Sequence, residues 1–235
     1  MDILKIIGRT APLFDDDIST RRKELEALVS NSRFLVIGGA GSIGQAVTRE
    51  IFKRNPLALH VVDISENNMV ELVRDIRSTH GYIDGDFRTF ALDCGSNEYK
   101  ALMNAGEGYD YVLNLSALKH VRSEKDPFTL MRLIEVNILN TIKTVQMAKA
   151  QGAKKYFCVS TDKASNPSTL YGTTKQLSER LTSWARLHSD HTSFTSIRLG
   201  NVMETRGNVF EIWNEEKKNN QPLSITDTKM ERYFV

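Results

Sequence analysis

The stretch FLVIGGAGSIGQAVTREIF, residues 34–52, joins a short apolar run to an amphipathic segment through a glycine-rich turn. Three of its four glycines, Gly38, Gly41 and Gly44, have the spacing G-x-x-G-x-x-G. The first permits a tight turn, the second lets the backbone approach a ligand, and the third allows helix and strand to pack closely. Because a helix N-terminus favours anions, the stretch predicts a strand, a phosphate-binding turn and a helix. The predicted phosphate-binding residues are Gly38, Gly41, Ser42, Ile43 and Gly44.

An acidic residue, Asp63, ends the next apolar run, LALHVVD, about twenty residues beyond the glycines. A carboxylate at this position can accept hydrogen bonds from both ribose hydroxyls of NAD. The same charge would repel a 2′-phosphate, so the pattern favours NAD over NADP. The alternative interpretation is a glycine turn kept for packing, followed by a surface aspartate.

Short apolar runs alternate with amphipathic, helix-like segments from residue 33 onward. The runs are FLVIGG, LALHVVD, FRTFALD, YDYVLNLSA, KYFCVS and FTSIRLGN. Strands separated by helices predict right-handed βαβ units and a parallel sheet covered on both faces. We therefore expect an α/β fold with a doubly wound parallel sheet of the Rossmann type. The predicted division is a lead-in helix over 1–32, a cofactor-binding domain over 33–200, and the start of a small substrate-binding region over 201–235.

Three more residues follow strand ends where a cofactor would lie. Asp93, which closes FRTFALD, can accept a hydrogen bond from an adenine amino group, although a strand-end aspartate often only forms a turn. Ser116 and Ala117, at the end of YDYVLNLSA, are small enough to lie beside the cofactor. The parallel topology would bring these residues and the glycine turn to one edge of the sheet.

Tyr171 and Lys175 are four residues apart in the helix expected after the fifth strand, so both project from one face. A lysine ammonium beside a phenol favours the phenolate and would make Tyr171 a base near neutral pH. Lys175 can also hold the ribose of a nicotinamide, and Thr161 can donate to the substrate oxygen that Tyr171 contacts. A chance tyrosine–lysine pair on a surface helix is the alternative, but the preceding strand favours a role in catalysis and cofactor binding.

The composition is that of an ordinary globular chain, with 235 residues, 26% charged residues and a net charge of +2. This near-neutral balance gives no reason to expect nucleic acid as a partner. No apolar run approaches the roughly 18 residues that cross a bilayer, and no spacing typical of metal ligands occurs, so neither a membrane segment nor a metal is expected. Cys94 and Cys158 each follow or end a predicted core strand, which favours buried free thiols and a cytoplasmic location over a disulfide.

Seven motifs occur in an order that is shared with a known family: GGAGSIG, SALKHV, STDKASNP, LYGTTK, RLGNV, RGNV and TDTKMERYFV. They resemble the extended short-chain dehydrogenase/reductases, and within these the UDP-N-acetylglucosamine 4,6-dehydratase family of polysaccharide biosynthesis. The resemblance covers almost the whole chain. Because family chains continue for a substantial C-terminal portion, it implies an incomplete sugar pocket here. It also implies self-association into a homo-oligomer.

The resemblance implies an NAD cofactor, a UDP-sugar substrate and three chemical steps. C4 of the hexose is oxidised, water is lost across C5 and C6, and the hydride returns to C6. Tyr171 would be the oxidation base, with Lys175 and Thr161 as its supports. Asp162 and Lys163 would carry out the elimination; the Asp-Lys pair, in place of Asp-Glu in other sugar dehydratases, resembles members that invert C5. One division makes Lys163 the C5 base and Asp162 the acid for the C6 hydroxyl, and the reverse division stays open.

The same resemblance implies four substrate-binding residues, Lys119, His120, Asn201 and Arg206. Lys119 would reach a phosphate or sugar oxygen, and Asn201 matches a substrate-binding asparagine. Arg206 suits the diphosphate because its planar fork binds phosphate oxygens in pairs. As alternatives, His120 is a loop-packing residue and Arg206 a surface cation. At METRGNV the chain departs from the small, glycine-containing turn of the family.

Two other functions fit the same scaffold. A nucleotide-sugar 4-epimerase or 4-keto reductase needs Tyr171 and Lys175 but has no use for Asp162 and Lys163. A non-catalytic NAD-binding module would be expected to show a damaged proton-transfer set, and here the set is intact. The residues therefore favour the dehydratase.

Overall fold

The structure is a computed structural model that describes residues 3–119, 125–203, 205, 208–225, 227–229 and 231. Within this part of the chain, the strands are β1 Arg33–Ile37, β2 Ala58–Asp63, β3 Asp86–Ala91, β4 Tyr111–Asn114, β5 Lys155–Thr161 and β6 Ser193–Leu199. The α-helices are α1 Ile3–Ile6, α2 Asp15–Thr20, α3 Arg22–Ser30, α4 Ser42–Phe52, α5 Glu66–His80, α6 Asn97–Ala105, α7 Pro127–Ile134, α8 Asn140–Ala150, α9 Leu170–Leu187 and α10 Val209–Lys218. A π-helical segment, Glu135–Leu139, joins α7 to α8, and a 3₁₀ turn, Asp162–Ala164, follows β5.

The described strands form one six-stranded sheet in the order β3-β2-β1-β4-β5-β6. Strand β1 pairs in parallel with both β2 and β4, and the β2–β3 and β4–β5 pairs are parallel as well. The chain builds outward from β1 in both directions, which places a switch point between β1 and β4, where doubly wound sheets bind ligands. The predicted doubly wound α/β fold is confirmed, and each predicted strand run overlaps one of these strands.

The sheet is buried on both faces, as its apolar strands predict. Leu35 and Ile37 of β1 join one apolar cluster, to which α6, α8 and α9 contribute. Phe34 and Val36 point to the opposite face and join a second cluster with residues of α4 and α5. Burying one such side chain contributes roughly 1.5–3 kcal/mol, so these two clusters provide the main apolar stabilisation of the sheet.

Two helices that border the predicted site begin differently. Helix α9 has Thr169 as its N-cap, whose side chain accepts a hydrogen bond from the Gly172 N–H over 3.1 Å. Helix α4 has Gly41 as its N-cap, which supplies no side-chain acceptor. A capping hydroxyl satisfies one of the helix's first amides internally. In α4, the first amides must instead donate to backbone oxygens, to solvent or to a ligand.

The chain divides into two compact units. Glu26–Arg198 form the first, which contains the sheet apart from the last residue of β6, and the described residues of Met1–Leu25 and Leu199–Val235 form the second. In the second unit, Trp213 of α10 donates from its indole to the Ser224 carbonyl over 2.8 Å. The predicted division at residues 32 and 200 stays a prediction. Among the helices of the described ranges, none is both long and apolar enough to cross a membrane.

Candidate functional site

The three spaced glycines of the turn after β1 and the first turn of α4 have different surroundings. Gly38 has a φ of +74°, a left-handed conformation that glycine adopts without strain. A Cβ on Gly44 would lie 2.0 Å from the Gly38 carbonyl oxygen, so turn and helix pack too closely for a side chain. A Cβ on Gly41 would meet nothing closer than 3.4 Å, so the space beside Gly41 is open. The backbone is thus exposed to a ligand at the second glycine.

The first turn of α4 contains Ser42, Ile43 and Gly44 and follows directly from this open position. The amides of a helix N-terminus and the helix dipole together attract anions. Because the N-cap Gly41 has no side chain, it neither blocks this end of the helix nor satisfies its amides. The turn therefore fits the diphosphate of a dinucleotide.

The carboxylate of Asp63, at the end of β2, is held by two backbone amides. The Ala40 N–H donates to its Oδ2 and the Ser65 N–H to its Oδ1, each over 3.0 Å. Because Ala40 belongs to the glycine turn, the carboxylate lies beside the predicted phosphate site. Each carboxylate oxygen has a second lone pair, and two ribose hydroxyls can donate to these. The arrangement fits the ribose of NAD.

Asp93 lies just after β3, and its carboxylate already has protein partners. Its Oδ1 accepts from the Gly95 N–H over 2.9 Å and from the Asn140 amide over 3.2 Å. Its Oδ2 accepts from the guanidinium of Arg132 in α7. Burial raises the pKa of Asp93, but the Gly95 and Arg132 hydrogen bonds outweigh it and leave the pKa below its ordinary value. Contact between Asp93 and an adenine amino group stays a prediction, since the amino group would have to share the carboxylate oxygens with these donors.

Ser116 and Ala117 follow β4 at the switch point. Asn114 turns the Ser116 side chain back toward the sheet, because its Oδ1 accepts from the Ser116 N–H over 3.1 Å and from the Ser116 hydroxyl over 2.7 Å. A Cβ on Gly38 would lie within 2.9 Å of the backbone of Ser116, so the glycine turn and this loop are in direct contact. Ala117 is exposed beside them.

Asn137 was not predicted as a site residue, although it connects two segments of the site. It lies in the π-helical segment and is 1% exposed. Its side chain accepts from the Leu118 N–H and donates to the Leu118 carbonyl, both over 3.0 Å, and it also donates to the Thr174 hydroxyl over 3.0 Å. It thereby fixes the loop after β4 against α9. The sequence signal is an asparagine between Val136 and Ile138, and π-helical turns often occur at functional sites.

Three polar residues, the last of β5 and the first two of the 3₁₀ turn after it, contact one another. The Thr161 hydroxyl donates to Asp162 Oδ1 over 2.8 Å, and Lys163 Nζ lies 3.1 Å from the same oxygen. The side chains of Asp162 and Lys163 are 44% and 51% exposed. Burial raises the pKa of Asp162, but the hydrogen bonds from Thr161 and Lys163 outweigh it and hold the pKa below its ordinary value. The pair is therefore a carboxylate and an ammonium that a substrate can approach.

Tyr171, in the first turn of α9, joins this group through Thr161, whose side chain hydrogen-bonds the phenol. Burial raises the pKa of Tyr171, and the nearby Asp162 charge raises it further, while the Thr161 hydrogen bond opposes both. The phenol is thus neutral near pH 7 in the protein by itself. The structure brings Thr161, Asp162, Lys163 and Tyr171 together as the sequence predicts.

Lys175 lies one turn along α9 and is only 7% exposed. Its ammonium donates to the Val159 carbonyl over 2.8 Å, and burial lowers its pKa. The expectation that Lys175 would lower the pKa of Tyr171 is therefore wrong for the protein by itself. The physical reason is that the ammonium is directed at the β5 backbone and the phenol at Thr161, while burial acts against charge on both.

The predicted substrate-binding residues are less well placed by the structure. Lys119 is exposed in the loop after β4. Asn201 belongs to the second compact unit and is partly buried there. His120 and Arg206 lie outside the described residues. Within the described ranges, no group of three or more His, Cys, Asp or Glu residues is arranged to hold a metal ion.

Comparison with known proteins gives one family and several relatives. The family model described as "Polysaccharide biosynthesis protein" matches residues 34–235. The chain is 31% identical over 216 residues to an inverting UDP-N-acetylglucosamine 4,6-dehydratase of Campylobacter jejuni, a match that covers 88% of this chain and 60% of that enzyme. It is also 31% identical over 209 residues to a UDP-glucose 4-epimerase of Rickettsia bellii, a match that covers 86% of this chain and 58% of that enzyme.

A solved structure described as Pen from Bacillus thuringiensis superimposes with a TM-score of 0.78 at 32% sequence identity, over 88% of this chain and 64% of that one. The chain spans 35% to 62% of the lengths of the curated relatives it matches. The family match extends from β1 through the last residue. The chain therefore belongs to the polysaccharide biosynthesis protein family of extended short-chain dehydrogenase/reductases.

Proposed function

We propose that the protein is an NAD-dependent 4,6-dehydratase of a nucleotide sugar, with UDP-N-acetylglucosamine as substrate. The observation that carries the proposal is the Asp162–Lys163 pair, 3.1 Å apart and linked through Thr161 to the phenol of Tyr171. Oxidation at C4 needs only a base at O4, whereas loss of water needs an additional acid and base. The pair supplies both. The similarity to the Campylobacter jejuni dehydratase supports the same substrate class.

The cofactor proposal rests on the glycine turn and Asp63. The open backbone at Gly41 and the N-terminus of α4 suit a diphosphate, and Asp63 suits a ribose with two free hydroxyls. A 2′-phosphate would lie against the Asp63 carboxylate, so we propose NAD in preference to NADP. When bound, the nicotinamide supplies the acceptor for the C4 hydride and returns that hydride to C6.

For the oxidation, Tyr171 accepts the proton of O4 while Thr161 contacts the same oxygen. Because Tyr171 is a neutral phenol in the protein by itself, it must first release its own proton. That proton leaves to solvent. Thr161, whose hydroxyl lies 2.8 Å from Asp162 Oδ1, joins the phenol to the Asp162–Lys163 pair.

For the elimination, one residue of the pair must act as an acid and the other as a base. Lys163 Nζ and Asp162 Oδ1 are close enough for a proton to pass directly between them. When a proton moves from Lys163 to Asp162, Asp162 becomes the acid that releases the C6 hydroxyl as water, and Lys163 becomes the base that takes the C5 proton. With both residues in their resting state, the roles reverse. We propose the first division, because one proton transfer within the pair makes both the acid and the base.

The test follows the mass of the sugar. The protein is incubated with NAD and UDP-N-acetylglucosamine, and the product is expected to have lost one water. The variant Asp162→Asn should stop after C4 oxidation and accumulate the absorbance of bound NADH. Asp75→Asn, which removes a surface ion pair with Arg49, is the matched control and should turn over normally. A product of unchanged mass, or full dehydration by Asp162→Asn, contradicts the proposal.

A 4-epimerase is the second candidate, because the Rickettsia bellii epimerase is as similar to this chain as the dehydratase is. It would use Tyr171 and Lys175 with a different orientation of the sugar. The product would then keep the substrate's mass and differ in C4 configuration. Location in the cytoplasm and self-association of the protein also stay predictions; the buried thiols of Cys94 and Cys158 support the former.

A further inference from the structure

Helix α9 has a second charged residue on the face of Lys175. Glu179 follows Lys175 by four residues, the spacing at which helix side chains are neighbours. Its side chain is 13% exposed, which is unusual for a glutamate. Neither the predicted site nor the proposed chemistry includes this residue. A carboxylate this well buried requires a partner.

The partner is Arg198 of β6. Its Nε donates to Glu179 Oε1 over 2.8 Å and its Nη2 to Glu179 Oε2 over 2.7 Å. Both carboxylate oxygens are thereby fixed by one planar fork, the geometry in which arginine orients a carboxylate most firmly. The Arg198 hydrogen bonds lower the pKa of Glu179, so the carboxylate is charged at neutral pH. The fork also joins α9 to the strand next to β5.

Lys175 is a buried cation whose surroundings offer little compensation. Burial lowers its pKa, and the titratable groups that act on it are Cys158 of β5 and Glu179 of its own helix. Burial raises the pKa of Cys158, so this thiol is neutral near pH 7. The Val159 carbonyl accepts one hydrogen bond but has no net charge. At neutral pH, Glu179 is therefore the anion that stabilises the Lys175 ammonium.

We propose that Glu179 and Arg198 are positioning residues for Lys175: the arginine fork fixes a carboxylate one helical turn from the buried ammonium, which keeps that ammonium charged and directed at the Val159 carbonyl. The order of charges is cation, anion, cation, running from β6 through α9 toward the end of β5. The outer cation, Arg198, is 47% exposed and can be solvated, whereas the inner one cannot. The part of the inference that concerns rate rests on the proposed function, together with the predicted role of Lys175 as a support of Tyr171 in the C4 oxidation.

The primary experiment observes Lys175 without cofactor or substrate. The side-chain nitrogen of Lys175 is followed by NMR of the ¹⁵N-lysine-labelled protein through a pH titration, with Lys175→Arg used to assign the signal. In Glu179→Gln the ammonium signal is expected to disappear at lower pH than in the unchanged protein. Glu179→Asp should restore most of the difference. Arg198→Lys, which keeps the positive charge but loses the planar fork, should show a smaller shift in the same direction. Asp75→Asn should show none.

An unshifted Lys175 signal in folded Glu179→Gln overturns the inference, as does an equal shift in Asp75→Asn. If Glu179→Gln does not fold, as judged by circular dichroism, Arg198→Lys decides by the same readout. With NAD and UDP-N-acetylglucosamine, Glu179→Gln is expected to lower the C4 oxidation rate at pH 7 by roughly tenfold and to move the alkaline limb of its pH profile to lower pH. An inactive unchanged protein would contradict the proposed function but leave the NMR result valid.

Discussion

The turn after β1 and the loop after β5 lie at the same edge of one sheet, but they are built in different ways. The first is made of backbone: a left-handed glycine, a glycine without space for a Cβ, and amides that hold Asp63. The second is made of side chains: the Thr161 hydroxyl contacts both Asp162 and Tyr171, and the protonation of each of these two depends on its neighbours. Backbone sites depend on shape alone, whereas side-chain sites depend on shape and protonation.

The largest effect should come from filling the backbone turn. Gly44→Val would place side-chain atoms against the Gly38 carbonyl, which already lies 2.0 Å from where a Cβ would be. Neither backbone segment can move away, so little or no folded protein is expected, with a loss above about 4 kcal/mol. Chemical unfolding followed by circular dichroism measures this.

Gly41→Ala is the control for the turn, because its Cβ meets nothing closer than 3.4 Å. It should change the free energy of unfolding by less than about 1 kcal/mol but weaken NAD binding, measured by calorimetry. A stable Gly44→Val protein, or normal NAD binding by Gly41→Ala, would mean that the turn is not the backbone site described.

A smaller effect, on rate and not on folding, is expected in the loop. Tyr171→Phe removes the phenol oxygen and leaves the ring, so the fold and NAD binding should persist. C4 oxidation, followed by NADH absorbance, should slow by about 10²–10⁴-fold, the usual contribution of a general base. Retained turnover would exclude Tyr171 from the chemistry.

Thr161 tests whether the loop acts as a connected set. Thr161→Ser keeps the hydroxyl that joins Tyr171 to Asp162, and Thr161→Val keeps the shape without it. We expect dehydration by Thr161→Val to fall by roughly 10–100-fold and Thr161→Ser to retain most of the activity. Product mass against time measures both. Equal rates in the two variants would show that the hydroxyl does not take part.

The smallest effect concerns a buried group outside both regions, at the other end of the sheet. His60 of β2 contacts the Tyr109 hydroxyl over 2.8 Å and Asp86 over 3.0 Å. Burial lowers the pKa of His60 from 6.5 despite the Asp86 carboxylate. Between its folded and unfolded pKa values, the unfolded chain binds more protons, so this group makes stability fall as pH falls below about 6.5.

His60→Gln should remove that part of the pH dependence, a change of less than about 1 kcal/mol between pH 7 and pH 5. Urea unfolding at the two pH values measures it. NAD binding at pH 7 should stay unchanged, since the glycine turn depends on no titration of His60. A steeper loss of stability at low pH in His60→Gln would contradict the assignment of the cause to burial of the neutral ring.

The contrast between the two regions also explains which features could be predicted from the sequence. Glycine spacing, strand ends and the four-residue step from Tyr171 to Lys175 are local patterns, and they predicted the sheet and which loop residues meet. The direction of the Tyr171 pKa was wrong because burial depends on everything that packs around the phenol. The ion pairs Arg132–Asp93 and Arg198–Glu179 were not predicted because each joins residues far apart in the chain.

The π-helical segment that holds Asn137 has a consequence for insertions and deletions. A π turn contains one residue more than an α turn, and each residue rotates a helix by about 100°. Helix α8, which buries Val145 and Ala148, therefore follows α7 with one residue more than a regular helix would have. Deleting a single residue from Glu135–Leu139 would leave an α turn that spans about the same rotation, so Val145 and Ala148 would still face the sheet. The π-helical segment is thus the place in this helix where a change of chain length by one residue is accommodated.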